Sequence, residues 1–279
     1  VSDVDEVTVW QDGQVLPGRE ARVSALDSGL TIGDGVFETV RVDAGTPLAL
    51  TRHLDRLAAS ALRLGIRPPA ADAVRTGVGQ LLAAAPRAPR QRLRVTVTAG
   101  PGPLGPGRGT GPATLVLAVA ALAELPAHAA VVTSPFVRNE RSPLAAVKSV
   151  SYAESAWLLA EARRRGADET LVANTRGELC EGAAANVFVV LGGRLVTPPL
   201  SSGCLPGITR ALVLETTGAV EETFPYAALA DVEEAFLTSS LRHVTSVARI
   251  DDRLLMAPTR RTREAASALA ALLVASPDP

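Results

Sequence analysis

Histidine is scarce in this 279-residue chain, and His53, His128 and His243 lie too far apart to suggest a metal site. Cysteine is scarcer still: Cys180 and Cys204 are too few for a disulfide framework and lack zinc-site spacing. Neither sign of charge dominates. Lys plus Arg number 28 against 29 Asp plus Glu, and a net charge of −1 gives no electrostatic footprint for nucleic acid or an anionic membrane. No apolar run is long enough to span a bilayer, and the acidic opening "VSDVDEVTVW" has neither the n-region nor the h-region of a signal peptide. The expectation is a cytoplasmic protein with a small-molecule substrate, no metal, and no nucleic-acid or membrane partner.

Apolar residues are plentiful, at 47% with 20% charged, which suffices for a sizeable core. "VTVWQDGQVL" reads as a hairpin around Asp12-Gly13, and "VFETVRVDAGTPLAL" as a second one turning at Asp43-Ala44-Gly45. "RHLDRLAASALRLGI" places Leu54, Leu57, Ala58, Ala61 and Leu62 on one helical face. "ADAVRTGVGQLLAAA" is a helix weakened by Gly77 and Gly79. The strands "RLRVTVTAG" and "ATLVLAVAAL" are joined by "PGPLGPGRGTGP", expected to be a long, mobile surface loop. Further strands are expected at "AVVTS", "TLVAN", "GELCE", "NVFVVL", "RLVTP" and "EAFLTSS". Helices are expected from Tyr152, at "GITRALVLETTG" and at "RRTREAASALAALLVA", and the tail "SPDP" is expected to fray. Strands and helices mix without a steady βαβ rhythm, which indicates an α+β fold. The apolar pattern breaks near "AELPAHAA", giving a smaller N-terminal domain at 1–122, a linker at 123–130 and a larger C-terminal domain at 131–279 that carries Lys148.

Four features offer chemistry. Lys148 stands among Ala, Val and Ser, ahead of a helix. Glu181 leaves a strand into "GAAA", where tiny side chains let something large approach the backbone. In "CLPGITRALVLE", Ile208 and Thr209 open a helix whose free N–H groups make an anion site. Arg56 sits on a helix and has the planar fork suited to a phosphate. Each has an ordinary reading when taken alone: a solvated lysine, a turn glutamate, a helix cap, a helix-face arginine. Together they meet the needs of pyridoxal phosphate, which requires a lysine, a partner for its pyridine nitrogen and an anion site for its phosphate.

Over nearly its whole length the chain resembles the class IV aminotransferases, the fold-type IV pyridoxal phosphate enzymes. The resemblance runs through "DSGLTIGDGVFETVRV", "HLDRLAASALRL", "VKSVSYAESAWLLAEARRRGADE", "CEGAAANVFVV", "TPPLSSGCLPGITR" and "EAFLTSS". It implies a two-domain α+β enzyme with the cofactor between the domains, generally a homodimer. It implies that Lys148 is the Schiff-base lysine and that Glu181 faces the pyridine nitrogen. By the same resemblance Arg56, Ile208, Thr209 and Ser240 bind phosphate, Leu205 packs behind the ring, and Tyr152 bonds the phenolic oxygen. Leu30, Thr39 and Arg94 are the expected substrate residues. Leu30 and Ala99 depart from the D-amino acid aminotransferase pattern, where a tyrosine and an arginine are typical. Thr39 in "VFET" departs from the branched-chain "VFEG", while Arg94 matches a branched-chain arginine. "GLTIGDGVFETVRV" looks most like the 4-amino-4-deoxychorismate lyases, which release pyruvate and 4-aminobenzoate for folate synthesis. An aminotransferase for branched-chain or other small amino acids is the alternative, and a non-catalytic binding protein on the same fold is a third.

Overall fold

The computed structural model describes residues 6–279, so the first five residues of the acidic opening stretch lie outside the described residues. The chain forms two compact units. The first runs to Glu124 and recruits Val147–Tyr152 and Pro277–Pro279; the second comprises Leu125–Ala146 and Ala153–Ser276. Among the described residues, no helix is long and apolar enough to cross a membrane.

In the first unit, β1 (Thr8–Gln11) and β2 (Gln14–Pro17) form the hairpin at Asp12-Gly13. Then come α1 (Ser28–Thr31), β3 (Gly35–Asp43), β4 (Thr46–Pro47), α2 (Leu50–Arg63), α3 (Ala71–Ala84), β5 (Arg90–Thr98) and β6 (Thr114–Ala121). The strands make an antiparallel six-stranded sheet in the order β2-β1-β6-β5-β3-β4. Alternation along β3 sends Val36, Val40 and Val42 to one face, where they join Leu93, Val95, Val97 and Leu117 under Leu54, Leu57 and Ala61 of α2. Gly77 permits close packing of α3: a Cβ there would stand 2.8 Å from Leu117 Cδ1 and 3.1 Å from the Trp10 ring. The residue that weakens the helix intrinsically is therefore the one that lets it approach the sheet.

In the second unit, β7 (His128–Arg138), α4 (Ala153–Arg164), β8 (Glu169–Asn174), β9 (Leu179–Gly182), β10 (Asn186–Leu191) and β11 (Arg194–Thr197) come first. They are followed by α5 (Ile208–Thr216), β12 (Val220–Glu221), β13 (Glu234–Ser239), β14 (His243–Ile250), β15 (Arg253–Leu254) and α6 (Arg260–Ala275). The strands form a mixed nine-stranded sheet in the order β12-β11-β10-β13-β14-β7-β8-β9, with β15 paired to β14. Val187, Val189, Leu237 and Val247 build the core on one face, and Phe188 stacks on Phe236 on the other, their centroids 4.9 Å apart.

Three expectations need correction. The division of the chain differs from the one drawn at 123–130, because β7 already begins at His128 and the Lys148 segment belongs to the first unit. The cause is an open strand edge. β4 pairs only with the far end of β3, so the Phe37 N–H donates to the Lys148 carbonyl and the Val150 N–H to the Gly35 carbonyl, both at 2.9 Å. The tail is docked, with no sign of fraying: Asp278 Oδ1 accepts the Thr51 N–H at 2.7 Å and Oδ2 the Thr51 hydroxyl at 2.5 Å. Ala49, at the helix start, has no side chain to cap α2, and Asp278 supplies the cap. The Gly/Pro-rich loop is anchored too, since Arg108 donates to both oxygens of Asp34 at 2.5 and 2.7 Å and to the Leu64 carbonyl at 2.6 Å.

Candidate active site

In the first unit the candidate residues gather on two faces of β3. Phe37 and Thr39 share one face, and Arg94 lies opposite Thr39 across the ladder. The Phe37 ring is the hub of this face. Arg94 Cζ lies 3.9 Å from its centroid and Lys148 Nζ 4.6 Å, while Tyr152 meets it edge-on at 5.3 Å. Cations are held over an aromatic ring by its negative face. Lys148, Tyr152, Thr39 and Arg94 therefore share one neighbourhood. Leu30, on α1, is 70% exposed and is not part of that cluster.

The opposite face of β3 carries Glu38, fully buried under α2. Arg56 donates from Nε and Nη2 to its two oxygens at 2.8 and 2.6 Å, and His53 Nδ1 lies 2.6 Å from Oε2. Burial alone would raise the Glu38 carboxyl, but the Arg56 charge and the bonds from Arg56 and His53 outweigh it and hold the group at about 2. An ionised carboxylate only accepts, so His53 Nδ1 carries the hydrogen. Arg56 is thus a half-buried, oriented guanidinium and not a solvated helix-face arginine. The "HxxRL" spacing acquires a physical meaning: i and i+3 positions of one helix reach the same carboxylate.

In the second unit, Glu181 is buried at the end of β9. Its Oε2 accepts the Leu205 N–H at 2.9 Å and faces Asn186 Nδ2 at 3.4 Å, and Arg138 Nε stands 3.4 Å from Oε1. Asn186 also donates to the Leu205 carbonyl at 2.9 Å. Its Oδ1 would lie 1.9 Å from a Cβ on Gly207, so only glycine fits the start of α5. Ile208 and Thr209, both buried, open α5, and no side chain caps that helix start. Across the ladder from Asn186, Thr238 is buried with no hydrogen-bond partner for its hydroxyl. Ser240 lies two residues on, in the turn after β13.

Sequence reasoning missed Phe37, Glu38, His53, Arg138, Asn186 and Thr238. Glu38 had a readable signal, being a charge at an inward position between Val36 and Val40. Arg138 and Asn186 had none, because their roles depend on long-range packing.

The amino-transferase class IV family model matches residues 35–250. The chain belongs to the class IV aminotransferase family. A branched-chain-amino-acid aminotransferase of Pseudomonas aeruginosa is 29% identical over 280 residues, covering 93% of this chain and 90% of the relative. A solved aminotransferase of Brucella abortus, bound to pyridoxal phosphate, superposes with a TM-score of 0.86 at 25% identity, covering 97% of this chain and 99% of that one. A Legionella pneumophila structure provisionally named 4-amino-4-deoxychorismate lyase gives 0.84 at 25% identity, covering 91% and 95%. The protein is therefore a pyridoxal phosphate-dependent class IV enzyme with the α+β fold of that family. The residues fit the cofactor. A helix start without a side-chain cap and an orphaned buried hydroxyl on Thr238 suit a phosphate, and a buried carboxylate suits a protonated pyridine nitrogen.

Proposed function

We propose that this enzyme is an aminotransferase for branched-chain or other small amino acids with 2-oxo acid acceptors. The observation that carries this reading is the match, along nine-tenths of both chains, to a branched-chain-amino-acid aminotransferase. It takes precedence over the lyase suggested by "GLTIGDGVFETVRV". The Phe37 face adds support, offering an apolar ring for an aliphatic side chain with Arg94 beside it for a carboxylate.

The cofactor, when bound, supplies an electron sink for charge developing at the substrate's Cα. Lys148 would hold the cofactor through Nζ and, once the substrate's amino group displaces it, Nζ would carry the proton taken from Cα away from that carbon. Glu181 would keep a proton on the pyridine nitrogen, and Leu205, whose N–H holds that carboxylate, would pack behind the ring. Arg56, Ile208, Thr209 and Ser240 would bind the phosphate, and Tyr152 would bond the phenolic oxygen. A homodimer in the cytoplasm is the assembly and location that go with this reading.

A second reading, 4-amino-4-deoxychorismate lyase, is favoured by Thr39. Its position on the Phe37 face suits a hydroxyl that assists departure of the ring. The two reactions separate in one assay on purified holoenzyme. Leucine or valine with 2-oxoglutarate should yield glutamate, and aminodeoxychorismate should yield little pyruvate. Pyruvate release without glutamate formation would replace the first reading by the second.

A further inference from the structure

A carboxyl oxygen and a guanidinium nitrogen lie buried in the second unit, each without a hydrogen bond. Glu169 opens β8 and is fully buried. Its Oε1 accepts the N–H groups of Thr170 at 3.2 Å and Ala183 at 3.1 Å, and the Ala184 N–H also bonds the carboxylate. Oε2 has no hydrogen-bond partner; it faces Nη1 of Arg242, similarly unpartnered, across 3.5 Å. Arg242 lies in the turn that joins β13 to β14, where its N–H donates to Ser239 Oγ at 3.3 Å.

The places that this pair joins are informative. Ala183 and Ala184 lie two and three residues after Glu181 along the chain, and Ser240 lies two residues before Arg242. The carboxylate fills the space beneath the corner: a Cβ on Gly182 would come 3.2 Å from Glu169 Cγ. The run "GAAA" is thus small partly because a buried acid packs against it and bonds its backbone. A guanidinium held against a buried carboxyl has few arrangements open to it, since removing either group leaves the other's buried polar atom with nothing to face. A shift of the Arg242 turn must therefore be felt at the corner that carries Glu181.

We propose that Glu169 and Arg242 are positioning residues that lock the Glu181 corner to the Ser240 turn, so that the two are set as one unit for the cofactor. The inference rests on the reading of Glu181 and Ser240 as cofactor contacts. Neither Glu169 nor Arg242 needs to touch the cofactor.

The test is amide hydrogen exchange on the holoenzyme, together with the dissociation constant for pyridoxal phosphate. Arg242→Met should speed exchange at residues 182–185, and Glu169→Gln should speed it at 239–242; each variant loosens the other partner's segment. Both should weaken cofactor binding by about tenfold, the loss typical when a supporting partner is removed. Arg242→Lys, which keeps the charge, should recover part of it. Exchange that rises across the whole second unit, or only beside the mutated residue, would overturn the proposal. Cofactor affinity unchanged in both variants would do the same. Glu181→Gln separates the underlying reading. If it leaves the visible absorbance and affinity of the bound cofactor unaltered, Glu181 is not the contact. If it alters them while the pair variants do not, the pair has no positioning role. Should Arg242→Met not fold, Arg242→Lys and Glu169→Gln decide the matter.

Discussion

Arg56 grips both oxygens of the buried Glu38, Nε at 2.8 Å and Nη2 at 2.6 Å. Removing the arginine strands a buried carboxylate, which costs about 3–5 kcal/mol. Arg56→Ala should therefore lower the denaturation midpoint of the apoenzyme as well as weaken cofactor binding. Thr209→Ala should weaken cofactor binding less, because a neutral hydroxyl contributes about 0.5–1.5 kcal/mol against about 1.5–3 for a charged donor. Urea unfolding of the apoenzymes and titration with cofactor measure both. Equal, negligible cofactor losses in the two variants would mean that the phosphate sits elsewhere.

Glu38 and Glu169 should act in opposite directions on stability as pH changes. Glu38 is held at about 2, below its ordinary 4.5, so its contribution is full above 4.5 and disappears as pH falls toward 2. Burial pushes Glu169 up to about 7, with Arg242 the charged group facing it. Its folded form keeps a proton that the unfolded chain loses, so stability falls as pH rises from 4.5 to 7. Each shift corresponds to about 3 kcal/mol across its window. Glu169→Gln should flatten the fall between pH 5 and 7, read as unfolding free energy against pH. An unchanged slope would mean that Glu169 is ionised throughout.

Lys148 should carry the cofactor covalently. Borohydride reduction of the holoenzyme followed by peptide mapping should place the label on Lys148. Lys148→Ala should bind the cofactor without covalent attachment and lose turnover. A label on another lysine is ruled out by the sequence, since Lys148 is the only lysine in the chain, so the failing result is no label at all.

Asp278 should stabilise the first unit although it lies far from β3 in sequence. It caps α2, the helix that bears His53 and Arg56. Asp278→Ala should cost about 1 kcal/mol, the usual value of a lost N-cap, and lower the thermal midpoint. Asp278→Asn, which keeps a capping oxygen, should recover most of it. No change in either variant would mean that the tail contact does not hold α2.

Local patterns were legible in the sequence. The hairpin at Asp12-Gly13, the α2 stripe of Leu54, Leu57 and Ala61, and the opening of α5 at Ile208 depend on neighbours in the chain. For the candidate site, an ordered set of short motifs singled out Lys148, Glu181, Arg56 and Thr209 as the residues proposed to hold the cofactor. What escaped was settled by distant partners. The Lys148 segment joins β3 because β4 leaves that edge open, and nothing local announces it. "SPDP" looks like a fraying tail until Ala49 is seen to lack a cap. "HVTSVARI", which forms β14, has a mixed burial pattern and pairs with both β13 and β7, so its apolar signal is diluted. The substrate preference lies in few side chains, and a short stretch such as "GLTIGDGVFETVRV" does not fix it.

The most direct test is a single turnover without acceptor. Holoenzyme mixed with leucine alone should release one equivalent of 2-oxo acid per bound cofactor and then stop until 2-oxoglutarate is added, because transamination leaves the amino group on the cofactor. Absence of any 2-oxo acid from leucine, valine or alanine, with sustained pyruvate release from aminodeoxychorismate, would contradict the account.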